Sequence, residues 1–409
     1  MKQKWLLWGS LAANLWFSLP AAGTAGPSIA PEALDDARAE LRRAVREGEI
    51  AGGLLWVAQG GKVLLEEAAG VCDVEDRTPF RPDTIVRIYS MTKPIVSVAA
   101  MRLYEAGKFQ LDDPVARYIP AFAQVRVREA QEGRERFVPP KRPVTVRDLF
   151  RHTSGYSYGD GPEKKWYAKE GMRYHGPGAM FPPEMTLAEA AEAMARLPLL
   201  HHPGERFTYG FSVDLLGRLV EIWSGRRLDE YLREAVFQPL DMPDTGFVVP
   251  PDRASRFASC HTRRNGKIVV LDKQTASPYL KGFRFLSGGG GLVSTARDYG
   301  HFCQMLLDGG TFRGRRVLGK ETLRLMFTDQ LGGAAGKFRF GLGFAIGEVE
   351  VGKGQTRRRA PTFSWGGYAS TEFRVLPTEK LALIFLRQMI PTDNRLANEL
   401  FRRVYAGVR

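Results

Sequence analysis

Cysteine is scarce in this chain: three residues, Cys72, Cys260 and Cys303, among 409. They lie far apart and form no C-x-x-C pair. That excludes a disulfide-built scaffold, allows one bridge at most, and leaves no cysteine-based zinc cluster. Histidine is also sparse, at six residues. His152, His175, His201, His202, His261 and His301 stand in no H-E-x-x-H pattern and have no acidic partner at ligand spacing, so structural or exposed roles are expected for them. After residue 25 no apolar run is long enough to cross a bilayer as a helix. The glycine run SGGGG (287–291) is not followed by G-K-[ST], which excludes a phosphate loop and predicts a strand-to-helix turn.

What is present begins with the N-terminus. A basic MKQK precedes the apolar WLLWGSLAANLWFSLPAA and the small residues GTAG. This order predicts a secretory signal over residues 1–25, cleaved near Ala25, and hence a secreted, periplasmic protein. Ser10, Asn14, Ser18 and Pro20 interrupt the apolar run and make it short for a membrane anchor, so no stable membrane insertion is expected after cleavage. The formal net charge is +14, and the signal accounts for two of the lysines. The basic residues are scattered. Their densest run, KGQTRRR (353–359), has no interleaved aromatics, which predicts a solvated basic surface and no nucleic-acid partner. The remaining balance, 44% hydrophobic and 25% charged, supports a sizeable core.

Strand signals lie at both ends of the chain and helix signals between them. GGLLWVAQGGKVLLEEAAG (52–70) reads as a β-hairpin turning at GGK. TKPIVSVAAMRLYEAG (92–107), TLAEAAEAMARL (186–197), SVDLLGRLVEIWSG (212–225) and STARDYGHFCQMLLDGG (294–310) read as helices. In the last of these Thr295 and Asp298 have capping-box spacing, with Asp in place of the usual Glu. FGLGFAIGEVEV (340–351), TEFRVLP (371–377) and LALIFLRQ (381–388) carry β-type runs, and residues 394–408 form a closing helix. EAQEGRERFVPPKRP (129–143) reads as an exposed loop. The pattern predicts an α/β (α+β) protein with an antiparallel sheet built from both chain ends and flanked by helices. A mostly helical lobe is inserted in it. The sheet lobe covers roughly 30–107 and 281–409, the helical lobe roughly 108–280, within one catalytic domain from residue 26 to 409.

Two serines compete for the role of nucleophile. GYSYG (155–159) fits the G-x-S-x-G elbow, which needs a strand before the serine and a helix after it. RDLFRH before it reads as a short helix, and the Gly-Pro pair in DGPEKK opposes a helix after it. Ser157 is therefore read as a decoy. The other candidate is Ser90 in SMTK (90–93), an S-x-x-K motif. Pro94 fits the first turn of a helix that begins near Ser90. Ser90 and Lys93 then share one face, and the helix dipole favours the serine alkoxide. S-x-x-K alone is common on helices. Two further stretches supply its context: PGERFTYGFSVDLLG (203–217), with Tyr209 just ahead of a helix, and WGGYASTEFRVLP (365–377).

In this order the chain resembles the class C branch of the serine β-lactamase and penicillin-binding fold, whose motifs are S-x-x-K, Y-x-N and K-T-G. With WGG in the third place and no Asn in the second, it looks most like the family VIII carboxylesterases and related acyltransferases. HTSG (152–155), PGE (203–205), GGGGLVSTARD (288–298) and LDDPVARYIP (111–120) extend the resemblance over most of the mature chain. The resemblance implies Ser90 as nucleophile, Lys93 as its activating partner and Tyr209 as the proton shuttle, with no cofactor. A cation beside a phenol favours its phenolate form. The backbone N–H groups of Ser90 and Tyr368 would form the oxyanion hole. Trp365, Gly366, Gly367, Phe211 and Tyr156 would line the substrate pocket, with Tyr158 offered beside Tyr156. Phe211 stands where Y-x-N has Asn, and Trp365 where K-T-G has Lys. Both changes make the pocket more apolar and favour a neutral ester over a β-lactam or a D-Ala-D-Ala peptide. An acyltransferase would differ in excluding water from the acyl-enzyme. A sensor protein on the same scaffold would not need Ser90, Lys93 and Tyr209 together.

Overall fold

The hairpin expected at GGK forms, with Gln59 opposite Lys62, and the sheet grows outward from it. The computed structural model describes residues 28–131, 134–172, 181–182 and 184–409. The expected secretory signal and His175 lie outside the described residues.

In chain order the elements are α1 (Pro31–Arg46), β1 (Gly52–Gln59), β2 (Lys62–Gly70), β3 (Val86–Arg87) and α2 (Thr92–Glu105). There follow β4 (Val127–Gln131), β5 (Arg134–Val138), α3 (Val146–Phe150), α4 (Lys164–Lys169), α5 (Leu187–Ala195), α6 (Ser212–Ser224) and α7 (Leu228–Leu232). Next come β6 (Cys260–Arg264), β7 (Lys267–Asp272), β8 (Val293–Ser294), α8 (Ala296–Leu307), β9 (Thr311–Phe312), β10 (Arg315–Arg316) and α9 (Lys320–Met326). The chain ends with β11 (Arg339–Phe340), β12 (Ala345–Val351), β13 (Arg358–Gly367), β14 (Thr371–Leu376), β15 (Leu381–Leu386), β16 (Met389–Ile390) and α10 (Arg395–Ala406).

The main sheet has the order β11-β12-β13-β14-β15-β1-β2, antiparallel throughout. The β1–β15 pair, from Leu54↔Leu386 to Gln59↔Leu381, joins the two ends of the chain as expected. Side chains alternate across it. Leu55, Val57, Leu383 and Phe385 face α1 and α10, whose Ala37, Leu41, Leu400 and Phe401 recur at helical spacing. Trp56, Ile384 and Phe373 face the opposite way, into a larger core shared with α2, α6 and α8. Helix α2 packs against both α6 and α7, so it carries Ser90 into the seam between sheet and helices.

Three local readings need adjustment. Residues 129–143 were expected to loop; Val127–Gln131 and Arg134–Val138 instead pair as a hairpin closed at Gln131↔Arg134. Its second strand is exposed, so it carries no apolar alternation to read. The cap of α8 is half a capping box: Thr295 accepts from the Asp298 N–H, but the Asp298 carboxylate accepts from Asp244 N–H and Thr245 Oγ1 instead. The helix at Ser90 opens with a 3₁₀ turn, Tyr89–Met91, and becomes α-helical at Thr92. The three cysteines are free and buried.

Strand β3, just ahead of Ser90, is anchored by Arg87, which is fully buried. Its guanidinium pairs with Asp272, donates to Ala258 O at 2.7 Å and to Ser277 Oγ at 3.0 Å, and lies 4.2 Å from the Phe257 ring centroid. Arg87→Leu leaves Asp272 as an uncompensated buried carboxylate. The expected loss is about 3–5 kcal/mol of unfolding free energy in a denaturant titration at neutral pH. A loss under about 1 kcal/mol would show that Arg87 is not what fixes this strand.

Candidate active site

Ser90 occupies the 3₁₀ turn before α2, half-buried, and follows Tyr89, whose φ of 42° is a strained conformation for a tyrosine. One turn on, Lys93 is 1% exposed. Its ammonium has three N–H donors and uses all of them: to Ser90 Oγ at 3.1 Å, Tyr158 OH at 2.9 Å and Gly289 O at 2.6 Å. The charge also lies 4.6 Å from the Tyr209 ring centroid and 5.6 Å from that of Tyr158, within cation–π range.

Asp214, on α6, supports this arrangement from behind. Its carboxylate accepts from Ser287 Oγ at 2.6 Å and from the Gly289 N–H at 3.1 Å. Gly289 thus presents its N–H to the acid and its carbonyl to Lys93. Burial pushes the Asp214 pKa up; the bond from Ser287 and the charge of Lys93 oppose the rise.

Tyr158 and Tyr209 meet edge to face, 5.4 Å apart. The ring of Tyr158 lines the pocket while its hydroxyl lies deep against Lys93. Burial holds that phenol well above the ordinary value of 10. Tyr209 and Asp214 add to the shift, and the hydroxyl of Ser90 opposes it. Tyr158 is therefore a neutral O–H group. The Tyr209 oxygen accepts from Trp365 Nε1 at 3.2 Å. Behind Tyr209 sits His152, whose ring lies 4.8 Å away. Burial, and then the charge of Lys93, hold the His152 pKa well below 6.5, so this imidazole is uncharged.

Two close backbone approaches bring these segments together, and each requires glycine. A Cβ at Gly210 would stand 2.4 Å from the Ser157 carbonyl carbon, so the Tyr209 turn can pack on the GYSYG segment only without a side chain there. A Cβ at Gly367 would stand 2.4 Å from Ile88 O. Gly367 therefore lets the end of β13 cross directly over the residues leading to Ser90. The β12 pairing of β13 stops at Ala345↔Ser364, so residues 365–367 form a free strand edge facing the pocket. Tyr368 follows that edge. Its ring stands edge-on to Tyr89, 6.0 Å away, and its carbonyl accepts from Thr392 Oγ1 at 2.7 Å.

The pocket encloses about 720 Å³, and Tyr158, Tyr209, Phe211, Phe285, Trp365 and Tyr368 form its aromatic walls. Asp160, Asp214 and Glu372 also line it, and no Lys, Arg or His does so among the described residues. The structure thus gathers Ser90, Lys93, Tyr209, Phe211, Trp365, Gly366, Gly367 and Tyr368 around one cavity. Tyr156 is a correction. Its ring is fully buried against Phe122, and its hydroxyl donates to Met194 O at 3.0 Å, so it is a core residue of the helical lobe. Tyr158 takes the place in the pocket offered to Tyr156. Sequence reasoning also missed Asp214 and Gly289, although Asp214 lies only five residues beyond Tyr209.

Ser157 has a different environment. Its Oγ donates to the Glu163 carboxylate and accepts from the Gly159 N–H at 2.9 Å, and its own N–H donates to Tyr167 OH at 3.1 Å. These bonds fasten a turn. His201 and His202 bond to Thr208 Oγ1 at 2.9 Å and Glu129 at 3.3 Å, away from either serine.

Residues 37–403 match the family model described as Beta-lactamase. Protein Rv1367c of Mycobacterium tuberculosis is 35% identical over 376 residues, which covers 88% of this chain and 90% of that protein. Esterase EstB of Burkholderia gladioli is 33% identical over 223 residues, about half of each chain (52% and 51%). Among solved structures, EstCE1, described as a hydrolase with promiscuous acyltransferase activity, superposes with a TM-score of 0.75. That likeness comes at 24% identity and covers 93% of this chain and all of the other (100%), so it speaks to the fold.

Two outcomes are expected. Ser157→Ala leaves ester turnover within about two-fold but lowers unfolding free energy by about 1–3 kcal/mol, because buried Glu163 loses its partner. A hundred-fold loss of turnover would restore Ser157 as the nucleophile. The second concerns pH. Below about pH 6.5 the unfolded chain protonates residue 152 and the folded chain does not, so stability is lost as pH falls through that value. His152→Gln should remove this contribution. Between pH 6.5 and 5.5 the wild type should lose about 1 kcal/mol more than the variant, read by denaturant titration at both values. Equal losses would show that His152 is protonated in the fold.

Proposed function

The chain belongs to the Beta-lactamase family, a family of serine hydrolases, and on that premise we propose that it hydrolyses carboxylic esters through an acyl-enzyme on Ser90. The observation that carries the reading is the three-way bond of Lys93 to Ser90, Tyr158 and Gly289, set in an aromatic pocket whose lining has no cationic side chain among the described residues.

Tyr209, its oxygen held by the Trp365 N–H and its ring beside Lys93, enters the step as its phenolate, accepts the Ser90 proton and becomes a neutral phenol. Ser90 Oγ attacks the ester carbonyl. The oxyanion develops between the backbone N–H groups of Ser90 and Tyr368. As the tetrahedral intermediate collapses, the alkoxide leaves and takes the proton back from Tyr209. Water then attacks the acyl-enzyme by the reverse route and releases the acid. With all three donors engaged, Lys93 holds Ser90 and Tyr158 in place and supplies fixed positive charge. Tyr158, as a neutral phenol, donates toward Ser90 as charge builds there.

Trp365 keeps an N–H donor toward Tyr209 where the lysine of K-T-G would supply a cation. A β-lactam carboxylate would find no positive partner in the lining, whereas a neutral ester needs none. Acyl transfer is the second reading: the same acyl-enzyme, intercepted by an alcohol, and a pocket of about 720 Å³ has room for one. We also propose export by the N-terminal signal. N-terminal sequencing of protein recovered from a bacterial periplasm should begin near Gly26, and an intact Met1 would refute it.

The test is hydrolysis of p-nitrophenyl butyrate beside a chromogenic cephalosporin. Ser90→Ala should lower ester kcat/KM by at least about 10³-fold and abolish labelling by a fluorophosphonate, read as a mass adduct. Tyr209→Phe should cost about 10²–10⁴-fold. Retained turnover and labelling in Ser90→Ala would sink the proposal. Trp365→Lys should raise the cephalosporin-to-ester ratio about ten-fold by restoring a charged donor; an unchanged ratio would place the selectivity elsewhere.

A further inference from the structure

A second cleft, of about 660 Å³, lies beside the first and shares Thr392 with it. It is bounded by the end of α1, by Arg263 on β6, by residues 387–393 and by the N-terminus of α10. Four acids line it, and each is paired with arginine. Glu40 pairs with Arg43 and Arg403, Glu49 with Arg43, Asp393 with Arg395, and Glu399 with Arg402 and Arg403.

Two guanidiniums are left over. Arg387 is only 4% exposed, yet it forms no ion pair among the described residues. Among the described residues its guanidinium donates once, from Nη2 to the backbone carbonyl of Asp393, and its Nε is buried without a partner. Burial, with the charges of Arg395 and Arg263 behind it, pulls its pKa down, and Asp393 opposes that. This is the signature of a guanidinium short of negative charge. Arg263 is pinned by carbonyls alone: Gly266 O at 2.7 Å, Gly48 O at 3.1 Å and Glu49 O at 3.0 Å. Those bonds hold its fork in place without neutralising it. The positive end of α10 opens on the same cleft through Arg395 and Leu396.

An arginine buried without a carboxylate is costly unless an anion completes it. We propose that this cleft binds a compact oxyanion, a phosphate or carboxylate group, between Arg387 and Arg263, and that its occupancy is coupled to the oxyanion hole of the active site. The coupling runs through residues 387–393. Arg387 holds the Asp393 carbonyl. The Asp393 N–H donates to Ser370 Oγ at 3.0 Å, and Ser370 Oγ donates to Met389 O at 3.0 Å. The Met389 N–H donates to Ala369 O at 3.1 Å, and Thr392 Oγ1 to Tyr368 O. The turn that presents the Tyr368 N–H is thus bonded at three successive residues to the segment that would hold the anion.

The experiment titrates the full chain with inorganic phosphate and with malonate at constant ionic strength, balanced by sodium chloride. Thermal unfolding and ester kcat/KM are followed together. The wild type should show a saturable rise in Tm for at least one anion, with chloride ineffective. Phosphate or malonate acting alone identifies which oxyanion the site takes. Arg263→Gln, at an exposed position, should raise the half-saturating concentration at least ten-fold, and Arg387→Lys should do the same if it folds. A linear response in the wild type, or the same titration in Arg263→Gln, overturns the site. Saturable binding with ester kcat/KM unchanged within two-fold keeps the site and overturns its coupling. The Tm readout is independent of catalysis, so this outcome and failure of the esterase reading are distinguishable.

Discussion

A buried ammonium must have somewhere to place three N–H bonds, and the active site is organised by that demand. Lys93 meets it with one hydroxyl from the 3₁₀ turn just ahead of its helix, one from the turn at residue 158 and one carbonyl from the loop at residue 289. Removing any acceptor would leave a desolvated charge partly unpaired, so the three segments are held in one relative position. Asp214 extends the network. It fixes the Gly289 peptide that presents its carbonyl to Lys93.

Close approach follows from the same demand. For Tyr158 and Tyr209 to flank one ammonium, the turns that carry them must pack backbone to backbone, and only a glycine at 210 allows it. β13 crosses directly over Ile88, ahead of Ser90, and only a glycine at 367 allows it. The sheet supplies rigidity at this point. β13 is paired with β14 up to Gly367 and left free on its other side, so the edge is fixed and still open to substrate.

The departures from the K-T-G and Y-x-N patterns act on the electrostatics of the pocket. Trp365 reaches the Tyr209 oxygen with a neutral donor. Phe211 fills the second position with a buried ring packed edge-on against Tyr158. The result is a pocket with no cationic side chain in its described lining, in a chain of formal charge +14. Positive charge lies on the surface and in the neighbouring cleft, where Arg263 and Arg387 form no ion pair with an acid among the described residues.

Local chemistry along the chain determined a good deal. The i, i+3 spacing of Ser90 and Lys93 ahead of Pro94, the Gly-Gly hairpin and the Gly225 helix stop are short-range signals. Short-range signals survive in sequence because backbone geometry alone relates the residues. Tertiary structure decided the rest. Tyr156 and Tyr158 are equivalent in GYSYG, and only the position of Met194 and of Lys93 sends one ring to the core and the other to the pocket. Asp298 has the spacing to complete a cap, but Thr245 and Asp244 take its carboxylate. Gly289 meets Lys93 across 196 residues, and Arg387 and Arg263 come to line one cleft through the packing of separate elements. Contacts of that reach leave no periodic trace in a single chain, because folding, and not spacing, brings the partners together.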